Sequence, residues 1–113
     1  MHEMALAQSI VDLVTEHSRR DRFAHARTIR LSIGALAHVD PRALEFGFEV
    51  VARDTAAEGA TLVIDRPGGK AFCMDCSRDV AIGAHGEPCP VCGGGQWILT
   101  GGNEMKVVDL EVD

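Results

Sequence analysis

The stretch Cys73-Met74-Asp75-Cys76-Ser77-Arg78-Asp79-Val80-Ala81-Ile82-Gly83-Ala84-His85-Gly86-Glu87-Pro88-Cys89-Pro90-Val91-Cys92 holds every cysteine of the chain. The four fall into two Cys-x-x-Cys pairs with twelve residues between them. Two intervening residues let a tight turn aim both thiolates at one point, with backbone N–H groups free to donate to sulfur. Two such turns supply four sulfurs in a tetrahedral set, which favours Zn2+. A four-sulfur iron centre would use the same residues and stays open at this level. Gly93 directly follows the second pair and permits a left-handed backbone there. Four thiolates fill every zinc position, so the metal is structural and not catalytic. The segment also needs a metal: Phe72, Val80, Ile82 and Trp97 are its main apolar side chains, too few for a core. Structural zinc adds folding free energy of about 10 kcal/mol or more. A thioredoxin-like redox centre would need one Cys-x-x-Cys beside a strand–helix unit, which is not the pattern here. His85, between the pairs, reads as an exposed loop histidine.

Outward from this module, glycine-rich breaks bracket it at Pro67-Gly68-Gly69 and Gly101-Gly102-Asn103. Upstream, Leu6, Ile10, Leu13, Val14 and His17 recur at helical spacing and predict a helix over 4–20, with Val11 off the stripe. Ile29, Leu31 and Ile33 then alternate with Thr28, Arg30 and Ser32, the period of a half-buried strand. Asp40-Pro41 reads as an N-cap followed by proline in the first turn of a second helix, over 41–53. Leu44, Phe48 and Val51 form one face of it, while Phe46 and Val50 point almost oppositely. That two-sided helix is expected to pack between a sheet and the first helix, or else to offer a surface for self-association. Residues 61–66 and 104–112 read as strands, the last with a one-residue slip at Val108. The fold class expected is α+β, two helices on a roughly three-stranded sheet with an inserted zinc-ribbon module. The boundaries expected are 1–66 plus 103–113 for the α+β domain and 67–102 for the ribbon.

Composition narrows the function classes. The chain has 113 residues, 11 Lys plus Arg against 17 Asp plus Glu, and a formal charge of −6. A binder that neutralises phosphates by bulk charge needs the opposite balance, so no nucleic-acid partner is expected. Hydrophobic residues make up 46%, too many for intrinsic disorder. No segment approaches the ~18 continuous apolar residues of a membrane span. The start, Met1-His2-Glu3-Met4, has no basic n-region or apolar h-region, so a signal peptide is not expected and a cytoplasmic location is. In a reducing compartment, paired cysteines are metal ligands more readily than disulfides.

A second metal-binding arrangement lies in the first three residues. The α-amine of Met1, the backbone nitrogen of His2 and the His2 imidazole Nδ1 can close fused chelate rings around one ion. The backbone nitrogen of Glu3 can complete a square plane, a geometry suited to Ni(II) or Cu(II). Alone this signal is weak, because a histidine near a terminus is usually a mobile polar residue. It gains weight from company. Gly34-x-Leu36-x-x-Val39-Asp40-Pro41-x-x-Leu44-x-Phe46-x-Phe48 joins the first strand to the second helix, and the two cysteine pairs follow. With Met1-His2-Glu3-Met4 at the start, this combination resembles the HypA/HybF family of hydrogenase nickel-incorporation proteins over essentially the full length.

The resemblance implies a nickel metallochaperone, not an enzyme. It implies delivery of Ni2+ during maturation of the [NiFe]-hydrogenase large subunit, in concert with a HypB-type nickel-binding GTPase, and in some members service to urease maturation proteins. It carries the family's nickel ligands onto Met1, His2 and Glu3, with Asp40 as a further contributor that is equally explained as a helix cap. It carries the family's zinc site onto Cys73, Cys76, Cys89 and Cys92. A terminal site is exposed, so its ion can be passed on by ligand exchange. The amine and imidazole must shed their protons to bind, and such groups ordinarily titrate at about 7.7–8.0 and about 6.5, so affinity falls as pH drops. Two other classes compete: a zinc-ribbon interaction module indifferent to its N-terminus, and an enzyme. The enzyme lacks support, for no nucleophile–base pattern or phosphate-cradling glycine motif is present. A homodimer is compatible with the two-sided second helix.

Overall fold

The computed structural model describes residues 2–113. The elements run α1 (Glu3–Asp21), β1 (Ala26–Ile33), α2 (Pro41–Val51), β2 (Thr61–Asp65), β3 (Gly69–Cys73), β4 (Arg78–Ile82), β5 (Trp97–Gly101) and β6 (Met105–Val112). They form two three-stranded sheets, β2-β1-β6 and β4-β3-β5. The chain divides into two compact units. One comprises residues 1–31, 39–64 and 107–113, the other 32–38 and 65–106. No helix among the described residues is long and apolar enough to cross a membrane.

In the first unit, α1 starts at Glu3 and stops where Arg22 takes a left-handed conformation, φ 58°. Its buried residues are Ala7, Ile10, Val11 and Val14, at the i, i+3, i+4, i+7 spacing of one face. The stripe is therefore rotated from the expected one. Val11, expected off it, is buried, while Leu6, Leu13 and His17 lie at its margins. Small Ala7 was invisible to a search for large apolar residues, yet it lets the helix approach its neighbour closely.

Asp40 caps α2 as expected. Its backbone is extended, its carboxylate accepts from the Arg42 N–H at 3.0 Å, and Pro41 opens the first turn. The helix ends at Val51, two residues short of expectation, and Leu44, Gly47 and Phe48 face inward. A Cβ on Gly47 would stand 2.6 Å from the Met4 sulfur, so this glycine is the notch into which α1 packs. The opposite side of α2 is not sandwiched. Phe46 is 70% and Val50 38% exposed, so the expected packing on both faces is not what the chain adopts. Ile29, Leu31, Leu44 and Phe48 are inside with the α1 face, and one apolar layer on each element closes this core.

The Ala35 N–H donates to the Pro67 carbonyl just beyond the ends of β1 and β2, so these strands run parallel and α2 is their crossover. The Asp113 N–H bonds the His25 carbonyl, and the Gly34 N–H bonds that of Glu104, which sets β6 antiparallel to β1. In β6 the inward residues are Val107 and Leu110, three apart instead of two. The alternation thus slips near Val108, as the sequence suggested.

The second unit has its own core of Leu36, Ala71, Cys73, Val80, Ile82 and Cys89, with Cys76, Trp97 and Leu99 against it. Leu36 comes from the segment after β1. Its N–H donates to the Gly102 carbonyl at 2.8 Å. Arg66 clamps the same segment through Nε to the Ile33 carbonyl at 2.9 Å and through a terminal nitrogen to the Gly34 carbonyl at 3.0 Å. Gly34 lies against the Gly102 backbone with no room for a side chain, and Gly102 itself has φ 90°. Both glycines are required by this close approach.

Candidate metal centre

The first cysteine pair is built by a hairpin. β3 ends at Cys73, which pairs antiparallel with Arg78 at the start of β4. The turn between them needs a left-handed residue, which Ser77 supplies at φ 56°. Alternation along β3 turns Gly69, Ala71 and Cys73 inward.

The second pair is a loop closed on itself. The Gly93 N–H donates to the Cys89 carbonyl and the Cys89 N–H to the Gly94 carbonyl, each at 2.8 Å. Gly93 has φ 74°, the left-handed conformation expected there. Two further N–H groups, of Val91 and Gly94, point at the sulfurs of Cys89 and Cys92 at 3.4 Å. The two turns are tied together. The Met74 N–H bonds the Gln96 carbonyl at 2.8 Å, and the Gln96 N–H bonds the Asp75 carboxylate at 3.3 Å. Asp75 also occupies the space where a side chain on Gly94 would stand, so Gly94 is a steric requirement and not a flexible return.

These turns bring Cys73, Cys76, Cys89 and Cys92 together, with all four sulfurs within 4.8 Å of one another. The Cys73–Cys92 separation is 3.6 Å and Cys76–Cys89 is 3.9 Å. All four are free thiols, not disulfides. A tetrahedron with Zn–S bonds of about 2.3 Å has edges of about 3.8 Å. The Cys73–Cys92 and Cys76–Cys89 separations therefore already match the spacing a zinc ion imposes. Without a metal Cys89 and Cys76 are shifted in opposite directions. The Cys92 backbone holds Cys89 down at about 7, whereas burial pushes Cys76 up to about 12. A thiolate is available at Cys89 before Cys76, and an arriving cation must displace the proton of Cys76.

His85 lies in the exposed loop, as expected, but its ring has partners. It stacks on His38 with centroids 5.0 Å apart, and its Nε2 lies 3.2 Å from the Leu36 carbonyl.

The other sequence-derived candidates lie in the first unit. Met1 is outside the described residues. His2 is exposed at the N-cap of α1, and its carbonyl accepts from the Leu6 N–H at 2.9 Å. Glu3 is the first helical residue, and its Oε2 accepts from the Asp40 N–H at 3.1 Å. That bond holds the Glu3 carboxyl down at about 2. Glu3 and Asp40, 37 residues apart in sequence, are thus in contact. Reading the sequence missed this bond, the Leu36 plug and the Asp75 tie. The Gly94 signal was present but was assigned to flexibility.

A hairpin and a closed loop that present four convergent thiols define a metal-binding protein. Comparison with known families gives the particular kind. A family model described as hydrogenase/urease nickel incorporation, metallochaperone HypA, matches residues 1–112, and the chain belongs to that family. Hydrogenase maturation factor HypA 2 of Bradyrhizobium diazoefficiens is 52% identical over the full length of both chains. Hydrogenase maturation factor HypA of Alkalilimnicola ehrlichii is 46% identical, again end to end. Among solved structures, the Ni metallochaperone HypA from Helicobacter pylori superposes with a TM-score of 0.70 at 27% identity, covering 99% of this chain and 97% of that one.

Proposed function

We propose that the chain carries Ni2+ as cargo at its N-terminus and hands it to the large subunit of a [NiFe]-hydrogenase during maturation. The Met1 amine, the His2 imidazole and the backbone nitrogens of His2 and Glu3 are the ligands, with Asp40 beside them. The observation that carries this reading is the match to the HypA model from the first residue onward, with His2 exposed at the head of α1. The contact between Glu3 and Asp40 supports the place given to Asp40.

In this reading Cys73, Cys76, Cys89 and Cys92 hold Zn2+, which supplies a rigid cross-link and no chemistry on the cargo. The sulfur spacing fits it. A saturated sulfur site and an exposed nitrogen site suit opposite tasks, retention and release. The chain performs no catalysis. It works in the cytoplasm with a HypB-type nickel-binding GTPase, and urease maturation proteins are a second class of client. The exposed Phe46–Val50 side of α2 is where a homodimer would form.

Titration of the untagged protein with Ni2+, with masses read under native conditions, tests the assignment. Wild type takes up one nickel beside one zinc. His2→Ala, or a few residues added before Met1, removes nickel and leaves zinc and helix content intact. An N-terminally extended protein that holds nickel as tightly as the native one overturns the site.

A further inference from the structure

His38 and His85 belong neither to the four-sulfur centre nor to the N-terminal chelate, and both lie in the second unit. Their rings meet with centroids 5.0 Å apart and planes inclined by 20°, and both side chains are exposed. The loop that carries His85 is held in shape. The Gly83 N–H donates to Glu87 Oε1 at 3.1 Å, the Glu87 N–H donates to the Ala84 carbonyl at 3.3 Å, and Gly86 takes φ 81°. The Trp97 indole N–H fixes the end of the loop by donating to the Glu87 carbonyl at 2.8 Å. His38 takes φ 54°, and Leu36, two residues before it, is buried in the cysteine core. The hydrogen bonding of His85 points to an ion. Its Nε2 lies 3.2 Å from the Leu36 carbonyl. A carbonyl only accepts, so Nε2 is the donor, and in the neutral ring Nδ1 keeps a free lone pair. A histidine that ligates a metal is held in this way, one ring nitrogen donating to a carbonyl or carboxylate and the other turned to the ion.

The spacing of the two rings agrees. With metal–nitrogen bonds of about 2.0–2.1 Å, each ring centroid stands about 3.2 Å from the ion. Two imidazoles on one ion then have centroids about 4.5 Å apart at a right angle and about 5.2 Å apart at the tetrahedral angle. The observed 5.0 Å falls between these values. The χ2 torsion of histidine is broad, so a turn of the exposed His38 ring brings one of its nitrogens to the ion. We propose that His38 and His85 form a second cation site, which takes Ni2+ or another borderline divalent ion through His85 Nδ1 and a ring nitrogen of His38. Imidazole suits Ni2+, Cu2+ and Zn2+ alike, and water completes the shell. Two neutral ligands hold an ion more weakly than four nitrogens or four thiolates, so the site fills only when the ion is in excess and exchanges it readily. The proposal does not rest on the N-terminal nickel reading.

The test titrates nickel chloride in excess into the untagged, zinc-loaded full chain carrying His2→Ala, which removes the N-terminal imidazole as a competitor. The same chain is made with His38→Ala and, separately, with His85→Gln. Gln keeps an amide N–H for the Leu36 carbonyl while removing the imidazole. Ni2+ completed by water is six-coordinate and paramagnetic, so the histidine ring protons report its place by NMR line broadening. The rings of His38 and His85 should broaden at a nickel concentration that leaves His17 and His25 sharp. A second imidazole already within reach raises affinity by about tenfold or more. In the His38→Ala chain, His85 should therefore need at least about tenfold more nickel to broaden, and His38 likewise in the His85→Gln chain. Zinc stoichiometry and Trp97 emission should match the parent in both, which shows that the unit is intact. His85 broadening at an unchanged nickel concentration in the His38→Ala chain overturns the proposal and leaves a ring stack alone. So does broadening of all four rings together, which makes the binding that of any surface histidine.

Discussion

The two units of this chain reach order by different means. The first buries apolar side chains from two helices and a sheet: Ala7, Ile10, Val11, Val14, Ile29, Leu31, Leu44 and Phe48 are all inside. The second has Leu36, Ala71, Val80 and Ile82, and the rest of its buried cluster is the sulfur of Cys73 and Cys89. Removing hydrocarbon from water drives the first, at ~25 cal/mol per Å². The second is too small for that and has placed its sulfurs where one ion can join two turns. A core made of many small contributions should respond to mutation gradually. A core with a single cross-link should respond all at once.

The largest effect that can break this contrast is removal of the cross-link. Cys73→Ser forfeits binding free energy of about 10 kcal/mol and should unfold the second unit. Trp97, whose indole N–H donates to the Glu87 carbonyl at 2.8 Å, reports the change by fluorescence. The helical circular dichroism of α1 and α2 should largely survive. A variant that loses zinc and keeps the native Trp97 emission would show that the second unit does not depend on its metal.

The complementary change is made in the first unit. Val11 is 2% exposed, and Val11→Ala should cost about 2 kcal/mol in denaturant unfolding while zinc stoichiometry stays at one. Phe46→Ala, on the exposed side of α2, should shift stability by less than about 0.5 kcal/mol. If Phe46 proves as costly as Val11, that side of the helix is covered in solution, and the mass of the assembly will show by what.

Acid should separate the units again. Cys76 is pushed up to about 12, so it keeps its proton in the metal-free protein throughout the neutral range and gives it up when zinc binds. Each proton so released makes affinity fall about tenfold per unit drop in pH, ~1.4 kcal/mol. Zinc should therefore be lost progressively as pH falls below neutrality, while the aliphatic unit stays folded. Competition with a colorimetric chelator at several pH values measures the slope. A flat profile would mean that the thiols are already ionised without metal.

The smallest effect is expected on the outer face of the first sheet. Arg30 pairs with Asp109 at 2.9 Å and with Glu111 at 3.3 Å, and all three side chains remain substantially exposed. Arg30→Ala should cost no more than about 1 kcal/mol, less at high salt. A larger loss in thermal unfolding would make β6 more dependent on its charges than the aliphatic account allows.

Much of this was legible in the sequence. Both helices, the three strands of the first sheet, the Asp40 cap and the slip near Val108 follow from periodicity and turn chemistry, which act over a few neighbouring residues. The cysteine cluster was legible because metal chemistry demands a spacing that few other causes produce. The orientation of each helix was less so. Val11 and Ala7 are inside because α1 packs on α2 at the Gly47 notch, and a stripe drawn from large side chains alone cannot register that notch.

The sequence by itself determined the two helices, the strands of the first sheet and which four cysteines converge, because those depend on local backbone preference and ligand chemistry; the β4-β3-β5 sheet that carries the first pair was not read from it. Tertiary structure alone decided that Leu36 completes the core of the cysteine unit, that Gly34 and Gly102 must lack side chains, and that Glu3 bonds the N-cap residue of α2, 37 residues away. Each of these is a meeting of segments far apart in the chain. No periodicity encodes such a meeting, because its energy exists only once the chain has folded back on itself.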